Sequence, residues 1–242
     1  MTELSLINIT YLCISIAAFL TFIWGLKQWN SYRDVVFLLI LAPVCLLWYD
    51  SLIIGIGSWI GEGSTLKTLS WPRYITHEIL LPFWIIAAGA LARRADFNWA
   101  KSKVVMALFC LVGTLGFAMG VMELLKIELF PACLKGTVRY VTYVSEAQAC
   151  SVDMIGAGHA PSGPPIIPIL STVLFLIIGL IMWAKRRWPW LLLGSILMFV
   201  MAGMPQSIAG PLLSNIAEPV IAFAALLTAR HFILTKDKVR GL

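Results

Sequence analysis

Five ionisable residues stand in apolar surroundings and could do proton chemistry: Asp50, Arg73, His77, Glu78 and Glu218. Asp50 is the only charge in the run from Val35 to Gly61, and Glu218 is the only one between Trp188 and Ala229. If such a run crosses a bilayer, an ionisable side chain within it costs roughly 2.5–3.5 kcal/mol and needs a partner or a task. A carboxylic acid shielded from water can keep its proton at neutral pH and hand it to an alkene or epoxide. Arg73 and His77 are four residues apart, hence on one helix face, and Glu78 follows directly. Trp48, Tyr49, Trp84, Glu123 and Gln206 are the candidates for lining a substrate cavity around these catalytic candidates. Acid–base chemistry of this kind calls for no cofactor and no metal.

Each residue also has a plainer reading. Asp50 can be bonded to a side chain of the next helix. Arg73 and His77 can mark a solvated helix start. Glu78 and Glu218 can be first-turn carboxylates favoured by the helix dipole. Glu123 can sit at the membrane interface, and His159 can be an ordinary loop residue.

The elements that must position these residues follow from composition. Of 242 residues, 60% are hydrophobic and 12% charged, against roughly 25% charged in a soluble domain. With a mean hydropathy of +0.89, the bilayer must be the solvent for most of the surface. The opening MTELSLINIT carries Glu3 and no basic cluster, so the first apolar run is expected to stay as a helix rather than be removed. Asn8-Ile9-Thr10 matches a glycosylation sequon, too close to the apolar run to carry weight. Uncharged runs predict an all-α, seven-transmembrane-helix bundle in one domain. Its helices are expected at about 4–26, 35–61, 74–92, 104–123, 166–184, 188–206 and 212–233, with a long connection over 125–165. Pro205, Gly210 and Pro211 mark the turn between the last two.

The basic residues set the orientation. In a seven-span arrangement thirteen Lys and Arg fall on one side and five on the other. The rich side faces the cytoplasm, which puts the N-terminus outside and the C-terminus inside, in the cell (inner) membrane. Trp24, Trp29, Trp99, Trp183, Trp188 and Trp190 cluster toward the rich side as an aromatic belt. The net charge of +6 is thereby a topological signal and not a nucleic-acid footprint. Cys133 and Cys150 lie in the outer connection, where a disulfide can form; two free thiols are the alternative. Cys13, Cys45 and Cys110 lie in apolar runs as packing residues. The pairs Gly57/Gly61 and Gly116/Gly120 suit close packing within the bundle.

Depth arithmetic sharpens the site. Asp50 is about sixteen residues into an outward-running helix, roughly 24 Å from its cytoplasmic end at 1.5 Å per residue. His77, Glu78, Glu123, Gln206 and Glu218 also fall in the outer half. They are expected to share one cavity.

Several seven-helix functions are excluded. A retinal Schiff base needs a lysine in the last helix, and PLLSNIAEPVIAFAALLTARHF has none. A zinc hydrolase needs several histidines at bundle depth, and the chain has three in all, without an HExxH. No Gly-rich phosphate loop occurs.

Chain length, the seven-helix layout and acids on helices 2 and 7 resemble the membrane-bound terpene cyclases of meroterpenoid pathways. The resemblance implies that Asp50 and Glu218 start and steer carbocation cyclisation of an isoprenoid. The order Trp48-Tyr49-Asp50 departs from that family, which places Glu directly after Trp. WYDSLIIGIGSWIGEG followed by RYITHEILLP also resembles a group of uncharacterised bacterial integral membrane proteins. Three classes therefore stand. One is an intramembrane enzyme acting on an isoprenoid, another lipid or a hydrophobic small molecule. The others are a small proton-coupled transporter and a non-catalytic binding, sensory or assembly protein.

Overall fold

The computed structural model describes residues 6–160, 163–204 and 211–240, with side chains up to 235. The chain is mostly helical. Helix α1 spans Leu6–Tyr32, α2 Val35–Ile60, α3 Ser64–Ile75, α4 Phe83–Arg94, α5 Lys103–Leu124, α6 Ile166–Arg186, α7 Trp190–Ala202 and α8 Leu212–Arg240. Five of these, α1, α2, α5, α6 and α8 (over Leu212–Thr235), are long and apolar enough to cross a membrane; the α3–α4 pair, bent by 45°, makes a sixth if it is one span. The chain is an integral, multi-pass membrane protein.

The third helix departs most from the sequence expectation. It begins at Ser64, ten residues before the expected start at 74, so Arg73 lies buried in its last turn and not at a solvated start. Between α3 and α4 the chain makes a π-helical turn, Thr76–Leu80. The cause is Pro82. It has no N–H for the carbonyl of Glu78, and the ladder shifts by one residue, with Leu81 N–H donating to the Thr76 carbonyl at 3.0 Å. Such turns widen a helix locally and recur at functional sites. The helix expected over 188–206 is shorter, Trp190–Ala202, with Pro189 preceding it; Glu3, Pro205, Gln206 and Gly210 lie outside the described residues.

The long connection is not irregular throughout. Strands β1 (Phe130–Leu134) and β2 (Thr137–Val141) form an antiparallel hairpin, so the all-α expectation gains one small sheet. Lys135 and Gly136 make its two-residue turn, both at positive φ (49° and 83°), as a turn matched to the strand twist requires. Cys133 and Cys150 are joined by a disulfide. The hairpin docks on α2. Ser58 donates to the Gly136 carbonyl at 2.7 Å and accepts from Val138 N–H at 3.1 Å. Gly57 is required there, because a Cβ would meet the Val138 carbonyl oxygen.

The main core lies at the opposite half of the bundle. Phe37, Ile40, Leu91, Phe175, Met182, Leu191 and Leu226 pack there. Trp84 belongs to this core: it is buried, its ring lies tilted against that of Phe175 at 5.3 Å, and it donates its indole N–H to the Ile40 carbonyl at 3.1 Å. At the far end, Asp34 caps α2 through Val36 N–H and pairs with Arg94 at 2.6 Å. Arg186 donates to the Ala95 carbonyl at 3.1 Å. The basic ends of α4 and α6 thus meet at the end away from the hairpin.

Candidate functional site

A cavity of about 180 Å³ opens under the hairpin. It is lined by Asp50 and Ile54 of α2, Arg73, Tyr74 and His77 of the α3 arm, Arg139 of β2, and Pro211, Ser214, Asn215 and Glu218 at the start of α8. Four of the five catalytic candidates, Asp50, Arg73, His77 and Glu218, therefore converge from three helices.

Within the cavity Asp50 is fully engaged. Arg73 Nε donates to its Oδ1 at 2.7 Å, and both side chains are buried. Asn215 Nδ2 donates to its Oδ2 at 3.1 Å. Arg73 also donates through Nη1 to the Tyr140 carbonyl at 3.3 Å, and Tyr74 Oη donates to that same oxygen at 3.1 Å. The hairpin backbone thus holds the guanidinium from above while α2 holds it from the side. Asp50 is thus bonded to a side chain of the next helix, as its plainer reading expects. A buried pair with its remaining lone pair and donors satisfied can persist where an isolated charge would not.

Glu218 and His77 differ from Asp50. Neither has a hydrogen-bond or ion-pair partner among the described residues, and both line the cavity. Glu218 sits seven residues into α8, directly before Pro219, which lies inside the helix. The proline leaves the Asn215 carbonyl without its helical donor, beside the residue whose side chain binds Asp50.

Arg139 is the site residue that the sequence reading counted only as an outer-loop charge. It is 3% exposed, and its Nε has no partner among the described residues. Burial lowers its pKa from the ordinary arginine value, and the neighbouring Arg73 charge acts in the same direction, against the opposite pull of Tyr11, Tyr74 and Asp50. Tyr74, Ser214 and Asn215 were also missed.

Other expected members lie elsewhere. Glu78 and Glu123 do not join Asp50; they line a second, larger cavity of about 800 Å³ with Lys126, Glu128, Thr142 and His159. The two spaces share only Tyr74. The reason is geometric. One residue is a rotation of about 100° on a helix, so Glu78 turns away from the face that carries Arg73 and His77. Its backbone meets α5 instead, where a Cβ on Gly120 would strike the Glu78 carbonyl. Glu123 is exposed and lies 3.6 Å from Lys126, as an interfacial residue would. Trp48 and Tyr49 line neither cavity. The Trp48 indole donates to the Cys45 carbonyl at 2.8 Å, and Tyr49 Oη donates to the Leu69 carbonyl at 2.8 Å. The Trp84 indole is likewise spent on a backbone carbonyl. Gln206 lies outside the described residues.

Comparison with protein-family models, with curated proteins and with solved structures finds no match.

Proposed function

We propose that this protein is an intramembrane enzyme that acts on an isoprenoid or other lipid by general acid–base chemistry. Glu218 is the proton-exchanging group. The observation that carries this reading is the contrast inside one cavity: Asp50 has both oxygens bonded, while Glu218 and His77 face the same space with no partner among the described residues. Asp50 then orders the site and Glu218 does the work. In this scheme the Glu218 carboxyl gives its proton to an alkene or epoxide of the substrate. The resulting cation rearranges or closes a ring. It then loses a proton back to Glu218, so the step is a net isomerisation that consumes nothing.

The reading places the chain in the cell membrane as a seven-span bundle, with α7 as the short span. The N-terminus and hairpin face outward and the C-terminus faces the cytoplasm. It is supported by the thirteen-to-five distribution of Lys and Arg and by a disulfide at the hairpin end, which belongs on an oxidising side. A carrier would need polar groups along its whole path, and the apolar core beyond Asp50 counts against one.

The test is lipid extraction from a host producing wild type or Glu218→Gln. A lipid species formed or consumed by wild type and unchanged in the variant, with both proteins folded in the membrane, is the expected result. Identical profiles overturn the enzyme and leave a binding or sensory protein.

A further inference from the structure

Arg139 is a cation with an unfilled role. Its side chain leaves β2 toward the bundle, lines the cavity beside Arg73, and is almost fully buried. No carboxylate lies within ion-pair distance of it among the described residues. Asp50 is already committed to Arg73 and Asn215. An unpaired buried charge is expensive, and a fold that holds one beside an open cavity has left its counter-ion to be supplied from outside. A guanidinium fork matches a carboxylate or phosphate in bidentate fashion.

We infer that Arg139 receives the oxyanion headgroup, carboxylate or phosphate, of an amphiphilic ligand whose apolar remainder lies toward Ile54 and Glu218. This deepens the enzyme reading, on which it rests for the word substrate, by giving the substrate an acidic head. The cavity volume suits that role. At about 180 Å³ it leaves room beside Arg139 for a headgroup. The positioning is sturdy, because Arg139 sits between Val138 and Tyr140, whose backbone atoms bond Ser58 on one side and Arg73 and Tyr74 on the other.

The experiment measures binding directly, without turnover. Purified full-length protein in a non-ionic detergent is titrated with dodecyl phosphate, dodecanoate, dodecanol and inorganic phosphate, read by thermal midpoint and by native mass spectrometry. Dodecyl phosphate or dodecanoate should bind as one equivalent and raise the midpoint, while dodecanol should not. Arg139→Gln should weaken that binding by about ten- to a hundred-fold, the worth of one charge-assisted contact, and Arg139→Lys should retain part of it. The intact Cys133–Cys150 disulfide, checked by mass, serves as the folding control for both variants. Equal binding of dodecanol, or unchanged binding in folded Arg139→Gln, overturns the inference. A response to inorganic phosphate as strong as to dodecyl phosphate overturns the amphiphile and leaves a free oxyanion. Charge-dependent binding together with an unchanged lipid profile would sink the enzyme and keep the oxyanion site.

Discussion

Arg73 Nε lies 2.7 Å from Asp50 Oδ1, a buried ion pair that ties α3 to α2. Neither residue makes sense there alone. Together, and with Asn215 and the Tyr140 carbonyl, they form a satisfied network that carries the walls of the cavity.

Breaking that pair from either side should cost stability more than chemistry. Asp50→Asn leaves a buried guanidinium uncompensated, and a loss of about 3–5 kcal/mol is expected. Arg73→Met should cost a similar amount, while the double variant should lose less than the sum of the two. Thermal unfolding in detergent gives the cycle. Strict additivity would mean that the two side chains do not interact.

Gly120→Ala should destabilise the protein by about 1–3 kcal/mol, as overpacking does. The Cβ would meet a backbone oxygen, that of Glu78, which cannot rotate away. Gly116→Ala is the control. Its new methyl would meet Ile167 Cδ1 at 2.9 Å, the far end of a flexible side chain, and should cost distinctly less. Equal losses at the two positions would contradict this account of how α5 seats on the π turn.

Part of this arrangement was legible in the sequence, for a physical reason. Charges inside apolar runs stand out, and Asp50, Arg73, His77 and Glu218 were found that way. Those four do converge. What the runs could not show was tertiary. Arg139 looked like a loop charge because its burial comes only from the hairpin folding onto Ser58 and Gly57. A local signal did exist: Leu134-Lys135-Gly136-Thr137 is a two-residue turn between FPACL and the β-branched TVRYV. Glu78 was grouped with its neighbour His77, yet helical rotation and the shift forced by Pro82 send it to a different cavity. Trp48, Tyr49 and Trp84 are expected to line the cavity, and each instead spends its polar atom on a backbone carbonyl.

Removing the disulfide should loosen the roof of the cavity. The two cysteines are 17 residues apart, and a cross-link closing a loop of that size contributes about 3 kcal/mol in the chain-entropy account. Cys133→Ser/Cys150→Ser, or wild type under reductant, should melt lower. Alkylation should label three cysteines in the denatured, unreduced protein and five after reduction. Five labels without reductant would remove the bridge from the structure.

The bond between Asp50 and Asn215 spans 165 residues, and that separation has a consequence for biogenesis. At roughly 5–20 residues per second of synthesis, α2 and the α3 arm wait on the order of ten seconds or more for α8 to be made. During that interval Asp50 has Arg73 as its companion, but the wall that Asn215, Ser214 and Glu218 supply is missing. The cavity therefore cannot exist on a partly made chain. It comes into being only when the last helix inserts, so a nascent protein holds its acid and its receptor arginine apart until the membrane bundle is closed.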